Sequence, residues 1–322
     1  MSWIAKTRHF LFENQIMIVV LGIVLGIIFP KFFLPLAIYS TPLLMLIFFT
    51  SSLRLDFKEM VGYAKDWKML ALANGFMLLF LPIAMWLPAK TFSPEWATAF
   101  LITGAMPTGM TIALIADLFG GKTSLALIVT ATTSLLAPLT IPLVLWFAIG
   151  RTVPIPVFSL FLNLFIVIVL PFFAAKITQD RFPKFTKKHA LWWREISIAA
   201  FGILIAAIVA QSTAQDPISF TMYDAGLMVV MLLYVAILTA MAFFMVWWRS
   251  NSEKATLALC MVYLNNTLAL YVATKFFPGG KLMTQMVLIL LVLNVLLVPF
   301  KWIASYAVKL DKLKIKRTKK AA

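Results

Sequence analysis

The stretch Thr103-Gly104-Ala105-Met106-Pro107-Thr108-Gly109-Met110-Thr111 sits inside a charge-free run at 96–116. A segment built only to be a helix in lipid would not place a proline and two glycines among three threonines at its middle. Proline removes a backbone donor and glycine loosens the helix. In a bilayer the freed backbone groups must be satisfied by protein or by a water-lined cavity. The stretch therefore predicts a broken helix. A second interruption, Leu264-Asn265-Asn266-Thr267, falls in the other half of the chain. Paired interrupted helices in corresponding positions point to the binding site of a transporter.

Around these breaks, composition sets the class. Hydrophobic residues make up 62% of the 322 and charged ones only 12%, against roughly 25% charged in soluble domains. Cys260 is the only cysteine, and His9 and His189 are the only histidines. An intramolecular disulfide is excluded, and a cysteine or histidine metal cluster is not expected. No acid, histidine or activated nucleophile accompanies the breaks in a catalytic grouping, so an enzyme is not expected either. The net charge of +16 would suggest a nucleic acid, but the basic residues lie at the ends of apolar runs. Membrane lipids are the expected partner of that charge, and no nucleic acid is.

Ten charge-free runs occupy 14–30, 32–53, 69–89, 96–116, 123–150, 152–175, 196–215, 225–248, 255–274 and 282–300. A hydrocarbon core takes about 20 helical residues to cross. The expected fold class is an all-α membrane protein with ten transmembrane helices. If the spans alternate, Lys31, Lys90, Arg151, Lys275 and Lys281 fall on one side, and the rest of the 28 Lys and Arg fall on the other, with the termini. The positive-inside bias then predicts both termini in the cytoplasm and a place in the cell (inner) membrane. Residues 1–13 read as an amphipathic lead-in, and 309–322 as a basic cytoplasmic tail drawn to anionic lipid. Gly22 and Gly26 form a close-packing motif expected to seat a neighbouring helix. Pro82 and Pro88 should kink the outer half of the third span. Ser51 and Ser52 read as a hydrated helix end.

The chain also repeats itself. Gly120 and Gly279 are 159 residues apart, as are Pro107 and Asn266, while Pro138 and Pro299 are 161 apart. Five spans per repeat is an odd number, so the second copy would run inverted through the membrane. The expected division is 1–150 for spans 1–5 and 151–308 for spans 6–10, with spans 4 and 9 discontinuous and crossed. Crossed half-helices expose N-termini, whose partial positive charge and free donors favour an anion. The candidate substrate-binding residues are Thr108, Gly109, Thr111, Thr133, Asn265, Asn266 and Thr267, with Pro107 as the structural break. Thr130 and Asn265 are candidate ion ligands. Asp117, the only acid near a broken helix, is a candidate proton-coupling group or a water-facing span end.

At these residues the chain resembles the bile acid:sodium symporter superfamily. The matching stretches are Gly104 to Gly109, Thr130 to Pro138, Ser51-Ser52-Leu53 with Asp56-Phe57, and Asn265 to Ala269. The resemblance implies a panel domain of spans 1, 2, 6 and 7 and a core domain of spans 3–5 and 8–10. It also implies an organic anion held beside the crossed helices and alternating access by movement of core against panel. Sodium-coupled relatives follow the first break's proline with Gly-Gly-Thr-x-Ser-Asn, where this chain has Ile112 and Ala113 at the Ser and Asn places. A glutamate that binds sodium in such relatives has no counterpart in Ala258-Leu259-Cys260-Met261-Val262. Arsenite exporters of similar fold use a thiol in the first broken helix, which is absent here.

The expected function is secondary transport of a small organic anion by alternating access, with Na⁺ coupling in question because most of the sodium ligands are missing. The alternatives are a cation-independent facilitator or exporter of the same fold and, from another class, a membrane sensor or scaffold with decayed transport. The substrate, the coupling ion, the direction of flux and the oligomeric state stay open at this level.

Overall fold

The computed structural model describes residues 15–55, 57–215, 221–277 and 279–321, so the lead-in at 1–13, Asp56 and Pro278 lie outside the described residues. The helices are α1 (Gln15–Ile28), α2 (Pro30–Ser52), α3 (Phe57–Ala64), α4 (Trp67–Phe92), α5 (Ala97–Gly104), α6 (Ile112–Leu118) and α7 (Thr123–Ile149). They continue as α8 (Val157–Arg181), α9 (Pro183–Lys188), α10 (Ala190–Gln215), α11 (Met222–Met245), α12 (Asn251–Val262), α13 (Asn266–Phe276) and α14 (Gly280–Ala321). Seven of these, α2, α4, α7, α8, α10, α11 and α14, are long and apolar enough to cross a membrane. The shorter α1 is apolar from Met17 to Ile28. The two remaining apolar runs are each split in the middle, into α5 and α6 and into α12 and α13.

Local chemistry explains several of these shapes. Thr221 and Glu253 belong to capping boxes that start α11 and α12, with Asp224 and Ser250 as their partners, so two orphan donors at each start are satisfied reciprocally. Pro82 follows a widened π turn at Phe76–Phe80 in α4, and Pro171 follows one at Phe165–Val169 in α8. A proline ring crowds the preceding turn and lacks a donor, and a wider turn absorbs both effects. The expected kink is therefore local to the stretch before Pro82. Pro88 is carried inside α4, which runs on to Phe92. The start of the basic segment at 309–322 is helical, because α14 continues without a break through Pro299 to Ala321. The Ser252 amide donates to Asp311 Oδ2 at 3.0 Å, which ties the start of that tail to α12.

Two sets of helices pack separately before they meet. In one, α10 lies along α1 and α2, and α2 lies against α8. The glycine motif of α1 makes this approach close. A Cβ on Gly26 would sit 2.6 Å from the Ala206 carbonyl oxygen, and one on Gly22 would sit 3.1 Å from that of Gly202. In the other set α4 packs on α5, α11 on α12, α12 on α14, and α7 on both α6 and α12. The sets touch where α10 and α2 face α13 and α14, and α8 also packs along α7. Lipid-facing apolar surface remains outside. Only 28% of the apolar window of α11 is buried, and Ile38, Phe147, Phe158 and Met222 are exposed. A face this apolar requires a bilayer or a partner to cover it.

Candidate functional site

The two breaks meet. Thr108 and Leu264 form an antiparallel bridge. The Gly109 amide donates to the Tyr263 carbonyl at 2.7 Å, and the Asn265 amide donates to the Pro107 carbonyl at 2.8 Å. Each interruption thus satisfies backbone groups that the other has freed, as an apolar interior demands. The contact is tight: a Cβ on Gly109 would lie 2.3 Å from Cδ1 of the Tyr263 ring. Glycine is required here by that approach.

Two helices start at the crossing. Asn265 caps α13, its Oδ1 accepting from the Leu268 amide at 3.1 Å. Thr111 precedes α6 without a side-chain cap, and its Oγ1 instead donates to Tyr263 Oη at 3.3 Å. Beside them lies a cavity of about 50 Å³, reached by Ser51 of α2, Ser197 and Phe201 of α10, Gly109, Thr111, Tyr263, Asn265 to Thr267, and Asn294 of α14. That volume holds a few water molecules, and the cavity adjoins a larger cleft at Ser51, Met110 and Thr111. Ser51 and Ser197 are hydrogen-bonded to each other at 3.0 Å across α2 and α10. Asn265 Nδ2 and Asn294 Oδ1 are buried with no hydrogen-bond partner among the described residues. A donor and an acceptor left bare in this way each carry a desolvation penalty that a ligand or water removes.

Of the residues singled out from sequence, Gly109, Thr111, Asn265, Asn266 and Thr267 line this cavity. Thr108 and Thr133 do not, although both were expected to touch substrate. They lie behind the crossing, where the Thr108 amide donates to Thr133 Oγ1 at 3.4 Å and Thr108 Oγ1 donates to Met77 Sδ at 3.3 Å. The Thr133 hydroxyl donates to the Val129 carbonyl at 2.7 Å, and that of Thr130 to Ala126 at 2.8 Å. Their protons are engaged by the backbone of α7 itself, a common fate of threonine inside a helix. Pro107 takes part through its carbonyl. Ser51, read as a hydrated helix end, is instead 2% exposed and faces the cavity. Tyr263 and Ser197 were not anticipated. Tyr263 directly precedes the second break and could have been found by that position, whereas nothing local marks Ser197.

The two ends of the interface differ. Toward one end a cleft of about 400 Å³ runs from Ser51, Met110 and Thr111 to Arg54 and Asp117. Asp117 is exposed at the end of α6, away from the crossing. Toward the other end α13 is tied to α2 and α8. Tyr271 Oη donates to Asn163 Oδ1 at 2.5 Å and lies 3.0 Å from Thr41 Oγ1. The Lys275 ammonium donates to Tyr271 Oη, Asn163 Oδ1 and Thr41 Oγ1 at 3.1, 3.2 and 3.4 Å. One end is latched and the other is open.

Comparison with known proteins gives a consistent picture. Residues 41–215 match the Sodium Bile acid symporter family. The chain is 29% identical over 216 residues to the uncharacterized sodium-dependent transporter YocS of Bacillus subtilis, covering 65% of this chain and 66% of that one. It is 30% identical over 176 residues to the sodium/bile acid cotransporter 7 of Danio rerio, with 50% and 52% covered. It is also 30% identical over 139 residues to the probable sodium/metabolite cotransporter BASS4, chloroplastic, of Oryza sativa subsp. indica, with 42% and 33% covered. The matches thus span from about two thirds to a third of these relatives' lengths. With more than half of its residues matched, in a helical framework that holds two paired breaks, the chain belongs to the sodium bile acid symporter family.

Proposed function

We propose that the protein is a secondary transporter of a small organic anion, working by alternating access at the crossing of its two broken helices. One observation carries the reading: the breaks pair antiparallel beside a cavity in which Asn265 Nδ2 and Asn294 Oδ1 stand bare. Counting each split pair as one span gives ten crossings in two inverted repeats of five, at 1–150 and 151–308. Gly120 and Gly279 support that symmetry. They are 159 residues apart and are the glycines with positive φ among the described residues. The packing of α10 along α1 and α2, and of α2 against α8, supports a panel moving against a core. With the basic termini in the cytoplasm, the open cleft at Arg54 faces inward and the Lys275 latch closes the outside.

The relatives are named as sodium-dependent or sodium-coupled, yet the donor set here suits sodium poorly. Ile112 is fully buried behind the break, and the Met77 sulfur is buried beside Thr108, whose hydroxyl also reaches the Cys260 carbonyl. Hard cations select oxygen ligands, and sulfur is a poor substitute. We therefore read the site as binding its anion without sodium at the crossing, with Asp117 left as the proton-coupling candidate. The test is thermal stability of the purified protein across an organic-anion panel in Na⁺ and in K⁺ at two pH values. A ligand selective for the native state raises stability by mass action. Equal stabilisation in both salts is expected. Stabilisation in Na⁺ alone would overturn the sodium-free reading, and the absence of any stabilisation or flux across the panel would overturn the anion reading.

A further inference from the structure

Arg54 follows the end of α2 and belongs to two clefts at once. One is the cleft of about 400 Å³ that reaches Ser51 and Thr111 at the crossing. The other, of about 510 Å³, lies toward α8 and α9 and is lined by Gln179, Lys176, Asp180 and Lys187. The backbone carrying Arg54 is held in place. Gln179 Nε2 donates to the carbonyls of Ser52, Leu53 and Leu55 at 3.2, 2.8 and 3.0 Å, which satisfies the helix end that would otherwise be orphaned. The side chain is only partly exposed. Its Nε has no hydrogen-bond partner among the described residues, and the charge that acts on it is the second cation Arg194. Burial and Arg194 together lower the Arg54 pKa to about 10. Of the acids that line the clefts, Asp180 is paired with Lys176, and Asp117 lines the cleft that reaches the crossing.

Unlike a positive-inside residue in open solvent, Arg54 is only partly exposed. A buried guanidinium nitrogen without a partner carries a desolvation penalty that a bound oxyanion offsets. An arginine fork is also the side chain best matched to a carboxylate or phosphate. We infer that Arg54 is the receiving group of a second, outlying oxyanion site, which takes the carboxylate of the transported anion between the cytoplasmic cleft and the crossing. The role as a staging point rests on the transport reading above, whereas the oxyanion site itself does not.

The experiment uses the full chain as wild type, Arg54→Gln, Arg54→Lys and Asn265→Ala, with potassium acetate titrated against chloride at constant ionic strength. Acetate should raise the Tm of wild type and of Arg54→Lys, leave Arg54→Gln unmoved, and still raise that of Asn265→Ala. Without acetate, Arg54→Gln should melt no lower than wild type, because Arg54 Nε has no hydrogen-bond partner to lose among the described residues. In proteoliposomes carrying an anion from the panel, Arg54→Gln should raise KM from the Arg54 face by about tenfold, the scale of one charge-assisted hydrogen bond. KM from the opposite face should be unchanged. An acetate response equal in wild type and Arg54→Gln overturns the site, as does a lower anion-free Tm in Arg54→Gln, which would mark a structural contact. An unchanged KM overturns the staging role. If the acetate response depends on Arg54 but no panel anion is carried by wild type, the oxyanion site stands and the transport reading falls.

Discussion

The first break runs from Ala105 to Thr111 and the second only from Tyr263 to Asn265, and they contribute different things to the same crossing. The first is shaped by backbone: Pro107 offers a carbonyl, Gly109 leaves room for the Tyr263 ring, and α6 begins without a side-chain cap. The second is shaped by side chain: Asn265 Oδ1 caps α13 while Asn265 Nδ2 is left bare. One residue thereby both starts a helix and offers the cavity a donor. Two breaks at equivalent places in the chain need not be chemically equivalent. The first supplies the opening and the second supplies the polar handle.

Substitutions can break or sharpen that contrast. The largest effect is expected at Gly109→Ala, whose new methyl would occupy the place of a buried ring. Overpacking of this kind costs about 1–3 kcal/mol and sometimes more, so the Tm should fall clearly; an unchanged Tm would mean that the breaks do not press on each other. Next comes Asn265→Ala, which loses a helix cap worth about 1 kcal/mol together with the part of the organic-anion response of the Tm that does not depend on Arg54. Asn265→Asp separates the two roles. It keeps the capping oxygen and so most of the stability, but it places a negative charge where the donor stood and should abolish that same part of the response. If Asn265→Asp binds the anion as wild type does, the handle lies elsewhere.

Smaller effects are expected around the first break. Thr111→Val removes one long hydrogen bond to Tyr263, worth about 0.5–1.5 kcal/mol, and should weaken anion binding less than Asn265→Ala. Thr130→Val should be the mildest, within about 0.5 kcal/mol, because its hydroxyl only back-bonds within its own helix. Its stability in Na⁺ relative to K⁺ should match that of wild type. A sodium-specific loss in Thr130→Val would restore this residue as an ion ligand and undo the sodium-free reading.

Much of the framework is visible in the residues themselves. Charge-free runs mark apolar helices, and the Gly-Pro-Gly grouping at 104–109 and Asn265-Asn266 mark interruptions. The Gly22 and Gly26 spacing marks a close helix seat, because each of these is a local backbone property. Five of the seven proposed contact residues reach the cavity for the same reason: they flank the breaks. What the chain alone hides is the partners. Thr108 and Thr133 looked identical to Thr111 in the chain, but their hydroxyls and amide are engaged by Met77, Val129 and each other. Ser51 looked like a hydrated end until Ser197, 146 residues away, was brought to it.

The sequence by itself therefore determined which segments are apolar helices and where two of them must fail, since a missing donor or a missing Cβ acts wherever it stands. Only the tertiary structure decided that the two failures repair each other, that α13 is tied to α2 and α8 at Lys275 while a cleft runs from the crossing to Arg54, and which polar atoms were left bare. Hydrogen-bond satisfaction is a property of pairs, and the partners here lie more than a hundred residues apart along the chain.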